Sequence, residues 1–143
     1  MKAIQKLGSI LCGVLLLSNI TVASADSHNN PVIWADVPDV AVIRTGDTYY
    51  MSSTTMHLCP GLPIMKSRDL INWEIVSYAH NVLGQEDALW LRNGKSAYGN
   101  GSWASSLRFH DGTYYVSTFA QTTGKTYIFK TKDIENEPWE EIS

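Results

Sequence analysis

The sequence predicts an all-β chain built from two four-stranded units, and three observations carry that prediction. First, a motif occurs twice. Residues 42–50 read Val-Ile-Arg-Thr-Gly-Asp-Thr-Tyr-Tyr, and residues 107–115 answer with Leu-Arg-Phe-His-Asp-Gly-Thr-Tyr-Tyr. A second stretch, from Lys66 to Trp73 and Glu74, recurs from Lys130 to Trp139 and Glu140. Tyr50 and Tyr115 are 65 positions apart, Lys66 and Lys130 are 64, and Trp73 and Trp139 are 66. A fixed period of this kind marks stacked supersecondary units that bury their apolar faces against one another. Second, from Val40 onward short β-branched and aromatic runs are separated by Gly, Asp and Asn, with no long stretch of 3.6-residue periodicity. Third, Gly46 and Gly112 fall between paired runs, where a hairpin needs the positive φ that glycine takes at no steric cost.

Each element follows from its residues. In the first unit strands are expected near 40–44, 49–54, 63–66 and 73–77, with Thr45, Gly46 and Asp47 as a hairpin turn. In the second they are expected near 106–109, 114–119 and 126–130, with a last one starting at Trp139 and His110, Asp111 and Gly112 as the matching turn. Four antiparallel strands joined by tight turns describe a propeller blade. The pairs Tyr49-Tyr50 and Tyr114-Tyr115 put one ring on each face of a strand, and the inward rings, with Trp73 and Trp139, are expected to pack between blades. Residues 77–100 form a long connection holding Glu86, Asp87, Trp90 and Arg92. It either covers the face where the axis opens and shapes a pocket, or serves as an exposed spacer with a short helical turn.

Residues 1–25 read as a secretory signal. Lys2 and Lys6 give a basic start, residues 7–20 are mostly apolar, and Ala23-Ser24-Ala25 supplies small residues for cleavage. The apolar run is short and interrupted by Gly8, Ser9, Gly13, Ser18 and Asn19, which disfavours a membrane span. The expected product is secreted or periplasmic, with no membrane association after cleavage. Residues 26–31 form a polar leader, and residues 32–143 the propeller domain, with blade 1 at about 39–77 and blade 2 at about 103–143. Without Lys2 and Lys6, nine basic side chains face fourteen acidic ones, a formal charge of −5, which excludes nucleic acid as a partner. Cys59 is then the single cysteine, so no intrachain disulfide is available.

The innermost strand of a blade lines the central channel, so the residues leading into it are where chemistry is sought. Counting back four from Ile43 reaches Asp39, and four from Leu107 reaches Trp103, which places a carboxylate and an aromatic ring at equivalent starts on adjacent blades. A carboxylate can move a proton while a ring face stacks on the apolar side of a sugar. Asp36 is a competing candidate, because a short slip of register exchanges the two. Trp34 and His57 are further candidates for substrate contact, whereas His28, His80 and His110 have little to recommend them. No Cys/His pairing stands at ligand spacing, so no zinc site is indicated.

These residues carry a resemblance. Asp39 to Arg44, Gly46-Asp47-Thr48-Tyr49-Tyr50, Pro60-Gly61-Leu62-Pro63-Ile64 and Ser67-Arg68-Asp69-Leu70-Ile71-Asn72-Trp73 resemble the opening blade of glycoside hydrolase family 43. Gly101-Ser102-Trp103-Ala104 with Arg108 to Tyr115 resembles its second blade. The match covers about residues 31–143. It implies a five-bladed propeller that hydrolyses arabinose- or xylose-containing plant cell-wall polysaccharides or oligosaccharides with inversion, Asp39 falling on the general-base position. The chain departs from the family pattern at Val40, where proline commonly follows the aspartate, and at Ala41 and Ser105.

The resemblance also implies that the general acid and the aspartate that tunes it lie beyond the matching region. No cofactor is required, although some relatives hold a structural calcium ion. Because the repeat stops after two units, the chain is expected to be an amino-terminal fragment, inactive as it stands, since inversion needs two carboxyl groups flanking the scissile bond. A non-catalytic carbohydrate-binding propeller, which keeps Trp103 and lacks an acid, is the alternative. An incomplete gene product without a stable fold is a third reading.

Overall fold

The computed structural model describes residues 30–57, 59–136 and 138–143. The signal expected at 1–25, most of the expected leader and His28 lie outside them. Among the described residues eight strands form two separate sheets. Strands β1 (Ala41–Thr45), β2 (Thr48–Ser52), β3 (Gly61–Ser67) and β4 (Glu74–His80) make the first. Strands β5 (Ser102–His110), β6 (Thr113–Ala120), β7 (Lys125–Thr131) and β8 (Glu140–Glu141) make the second. In each, spatial order equals chain order and every pair is antiparallel. Each sheet is an up-and-down meander, the arrangement expected of a propeller blade and called a blade below, with one sheet per repeat.

The hairpins are tighter than expected. Thr45 pairs with Thr48 and His110 with Thr113, so the connecting residues are Gly46-Asp47 and Asp111-Gly112 alone. Asp111 (φ 46°) and Gly112 (φ 72°) are both left-handed, the sign pattern of a type I′ turn, whose twist matches that of the flanking strands. Strand β5 starts earlier than expected, at Ser102, because a register shift between Ser102 and Ser105 accommodates one extra residue. Thr118 Oγ1 donates to the Trp103 carbonyl at 2.8 Å within that irregular stretch. Strand β4 runs on to His80, opposite Gly61.

The sheets meet face to face, β5 lying against β1 and, less closely, β2 and β3. Their shared core contains Leu62, Ile64 and Ala79 from the first blade and Leu107, Val116, Tyr127 and Phe129 from the second. Burying a side chain of this size contributes about 1.5–3 kcal/mol. The repeated tyrosines meet across the interface as expected. Tyr50 and Tyr114 are buried, with ring centroids 5.6 Å apart and planes at 70°, the edge-to-face geometry that the ring quadrupoles favour. Trp139 is buried and Trp73 only half-buried.

A polar clasp reinforces this contact. Glu135, between β7 and β8, accepts from Tyr50 Oη at 2.7 Å and from Lys66 Nζ at 2.6 Å, and Lys66 also pairs with Glu74 at 3.2 Å. The Lys66 ammonium and then the Tyr50 hydroxyl hold the Glu135 carboxyl below its ordinary range, while burial and that same hydrogen bond push the Tyr50 phenol up.

The connection from 81 to 101 supplies more than a spacer. Leu83, Leu89 and Ala97 enter the core. Trp90 Nε1 donates to the Gly84 carbonyl at 3.1 Å, and the Arg92 guanidinium lies 4.2 Å from the Trp90 ring centre. Asp87 accepts from Asn93 and Lys95 and is held below its ordinary range chiefly by the Asn93 hydrogen bond, so it is tied into the loop's own structure.

Candidate active site

The rim at which β1 and β5 begin is assembled by hydroxyl groups. Ser53 Oγ donates to the Pro38 carbonyl at 2.7 Å, pinning the segment before Asp39 to the end of β2. Ser52 and Ser105 share a hydroxyl hydrogen bond of 2.7 Å between blades, and Thr54 Oγ1 donates to the Ser102 carbonyl. Met56 N–H donates to Thr54 Oγ1 at 2.9 Å, and Met56 bridges to Ser102 in antiparallel fashion. Gly101 lies so close to the Met56 carbonyl that a Cβ there would collide with it. The β2–β3 loop and the end of the long connection are thereby held together at the same end of the molecule as Asp39.

Asp39 stands two residues before β1, exposed to solvent, in the left-handed region at φ 53°. Non-glycine residues held there cost of order 1–3 kcal/mol unless local hydrogen bonds compensate, and such strain collects at functional sites. Trp103 lies in the irregular start of β5, 38% exposed. Its Nε1 donates to the Gly99 carbonyl at 2.9 Å and its ring meets Phe119 edge-on, with centroids 5.5 Å apart. The indole is thus oriented while a third of it stays open, as a stacking platform needs.

The other candidates fall elsewhere. Asp36 and His57 line one groove of about 620 Å³, with Pro38, Thr54, Met56, Pro63, Met65, Trp73, Ile75, Tyr78 and Tyr98 also on its walls. It lies along the face of the first blade turned away from the second. His57 packs on Tyr98 with ring centroids 4.7 Å apart. Trp34 is 85% exposed, while its neighbours Ile33 and Ala35 line that groove. Asp39 therefore precedes β1 and Trp103 lies at the start of β5, whereas Asp36 and His57 share the groove beside the first blade.

Residues that sequence reasoning passed over include Tyr98 and the Ser52–Ser105 pair. The glycines that follow Tyr98, at 99 and 101, were the available signal. His80 is buried beside Phe129, its ring nitrogens without a partner among the described residues, and burial pulls its pKa down to about 4. Among the described residues no group of three or more His, Cys, Asp or Glu side chains gathers that could hold a metal ion, so none can be assigned to a calcium site. No helix among them is long and apolar enough to cross a membrane.

Comparison with known proteins agrees with this architecture. The sequence profile of Glycosyl hydrolases family 43 matches residues 28–143. A beta-xylosidase of Formosa agariphila is 36% identical over 114 residues, covering 79% of this chain and 19% of the relative. A non-reducing end alpha-L-arabinofuranosidase of Bacteroides ovatus is 36% identical over 116 residues, covering 81% and 21%. Among solved structures, a Bacteroides eggerthii protein described as bifunctional GH43-CE superposes with a TM-score of 0.75 at 60% identity, covering 80% of this chain and 16% of that one. The chain spans about a fifth of the length of the curated relatives it matches. A profile match over most of the sequence, on a fold with the same paired sheets, places the chain in glycosyl hydrolases family 43.

Proposed function

We propose that these residues form two neighbouring blades of a five-bladed glycosidase that cleaves arabinose- or xylose-containing plant polysaccharides or their oligomers with inversion, and that Asp39 is the general base. The observation that carries this reading is the position of Asp39. It is a solvent-open carboxylate at left-handed φ two residues before β1, the strand that this reading makes innermost, in a chain whose family relatives include a beta-xylosidase and an arabinofuranosidase.

A base that activates water must reach both water and the anomeric carbon, which an exposed carboxylate at the mouth of the channel allows. Asp36 faces the lateral groove instead, among Met65, Trp73 and Ile75. Trp103, fixed by Gly99 and Phe119, supplies the ring face against which a sugar stacks. Met56, from the adjoining loop, borders the same rim, and His57 beside it lines the lateral groove. Trp34, on the exposed approach to the first blade, is a more peripheral contact.

The second carboxyl group of the inverting pair is assigned to a blade outside residues 1–143. Asp87 is already committed within its loop, and Glu86 accepts from the Gln85 N–H. A polypeptide of these 143 residues alone is accordingly expected to give no turnover.

The stereochemistry of the product tests the reading. Residues 30–143 are placed in the Bacteroides eggerthii protein in place of its matching segment, and proton NMR follows the first sugar released from xylo- and arabino-oligosaccharides. The expected first product has the anomeric configuration opposite to that of the substrate. A product of retained configuration, or a hybrid that binds these oligosaccharides and never hydrolyses them, would refute it.

A further inference from the structure

The two blades present one turn in two states. After β3, Asp69 Oδ1 accepts from the backbone N–H groups of Ile71 and Asn72, and its Oδ2 from the Asn72 side chain at 2.7 Å. After β7, Asp133 accepts in the same way from the Glu135 N–H and the Asn136 side chain at 2.8 Å. Each turn thus presents an apolar residue just past the aspartate, Leu70 or Ile134, followed by a tryptophan, Trp73 or Trp139. In the second blade both are covered, Ile134 at 2% exposure and Trp139 at 8%. The cover is blade 1, whose Ser77 hydroxyl sits between them, donating to the Ile134 carbonyl at 2.7 Å and accepting from Trp139 Nε1 at 3.4 Å.

In the first blade the same two groups close on each other. Trp73 Nε1 donates directly to the Leu70 carbonyl at 3.1 Å, and Leu70 is 46% exposed at φ 65°.

The hydroxyl half of this contact also recurs. Ser77 lies four residues after Trp73, and Ser143 four after Trp139. Ser77 sits opposite Ile64. The Ser143 hydroxyl accepts from the N–H of Ile128, which is Ile64 shifted by the 64-residue period. The chain therefore carries two hydroxyl halves and two turn halves, and joins one of each.

We infer that the turn at 70–73 is the docking half of a repeated lock. Its occupant is a further four-stranded blade that presents a serine or threonine hydroxyl in the register of Ser77, four residues past its own tryptophan. On docking, that hydroxyl enters between Trp73 Nε1 and the Leu70 carbonyl, exchanges their direct hydrogen bond for two, and covers Leu70. The surface around the turn fits such a partner, since Trp73 lines the lateral groove together with Pro63, Met65 and Ile75. Contacts of this handed, head-to-tail kind close into rings when their rotation permits. Ile71 stands where the second blade has Glu135, so this junction lacks the Glu135 clasp. The inference rests on the ring reading above for the source of the blade, and on the two turns for the chemistry of the contact.

The test compares Leu70→Asp in two settings, the hybrid with the Bacteroides eggerthii protein and the 143-residue polypeptide. A buried aspartate is costly and an exposed one is not. The expected result is a fall in Tm of about 5 °C or more in the hybrid and less than about 2 °C in the short chain. Trp73→Phe, which removes only the indole donor and some ring area, is expected to lower the hybrid's Tm by a smaller amount. Equal shifts in both settings would overturn the lock. Concentration-dependent association of the short chain that Leu70→Asp abolishes would replace the ring blade by a second copy and overturn that assignment.

Should the hybrid not fold, the same substitutions at the matching positions of the unmodified Bacteroides eggerthii protein decide the matter by the same criterion. A hybrid that inverts its substrate yet ignores Leu70→Asp refutes the lock and leaves the glycosidase reading standing. One that is destabilised by the substitution and hydrolyses nothing does the reverse.

Discussion

Leu70 and Ile134 occupy the same place in the repeat and have opposite surroundings, as do Trp73 and Trp139. The second blade's copies are buried because the first blade covers them, whereas in the first blade Leu70 is exposed and Trp73 only half-buried. Elsewhere on that blade Val42 and Ile75 are exposed, whereas Leu107 and Val116 of the second blade are fully buried. The difference lies in what each sheet leans on, since both follow one pattern. In a stacked architecture burial is a property of the junction, and a residue's stability contribution depends on the neighbouring unit as much as on its own.

Changes at the junction should therefore cost far more than equivalent changes on the open face, and the largest effect is expected where the backbones approach most closely. Gly101→Ala drives a Cβ into the Met56 carbonyl, which belongs to rigid backbone. Loss of about 4 kcal/mol, or failure to fold, is expected by urea denaturation of the 143-residue polypeptide. Gly94→Ala, with open space around its Cβ and φ 69°, should lose only about 1–2 kcal/mol. A tolerated Gly101→Ala would show that the β2–β3 loop and the long connection do not meet.

Next in size is the paired truncation of the repeat. Ile134→Ala is expected to cost about 3 kcal/mol and Leu70→Ala less than about 0.5 kcal/mol in the same polypeptide. Similar losses at the two sites would break the comparison.

A pH effect of roughly 2–3 kcal/mol should follow from His80, whose burial holds its pKa at about 4 against an ordinary value of 6.5. Between those values the unfolded chain binds a proton that the folded chain does not. The stability associated with neutral His80 is thus fully present above pH 6.5 and is lost as pH falls toward 4. Urea midpoints for the native chain and His80→Gln across pH 7 to 4 check this. A native chain whose pH slope matches that of the variant would remove His80 from the account.

The smallest expected change is Tyr50→Phe, which deletes the donor to Glu135 at 2.7 Å and should cost about 1.5 kcal/mol. A neutral result would mean that Lys66 alone holds the clasp.

Most strands were legible in the sequence because the repeat states each twice, so a β-rich run in one blade corroborates its partner. The early start of β5 was not. It depends on a register shift and on contacts of Ser102 with Thr54 and Met56, nearly fifty residues away. The burial of Leu83, Leu89 and Ala97 was equally hidden, since an irregular connection has no period to betray which residues turn inward. The Glu135 clasp had a faint signal, a carboxylate in the second blade where the first has Ile71, but its partners Tyr50 and Lys66 belong to the other blade. At the site, spacing alone paired Asp39 with Trp103 and could not separate Asp39 from Asp36. In three dimensions Asp36 lines the lateral groove and Asp39 stands two residues before β1, a difference in place on which the proposal for Asp39 rests.

The most direct measurement is turnover of nitrophenyl arabinofuranoside and xyloside by the hybrid enzyme carrying either Asp39→Asn or Asp36→Asn. Loss of a general base lowers the rate by about 10²–10⁴-fold, so that loss is expected at Asp39, with less than about a threefold change at Asp36. Full activity with Asp39→Asn, or the large loss appearing at Asp36 instead, would contradict the account.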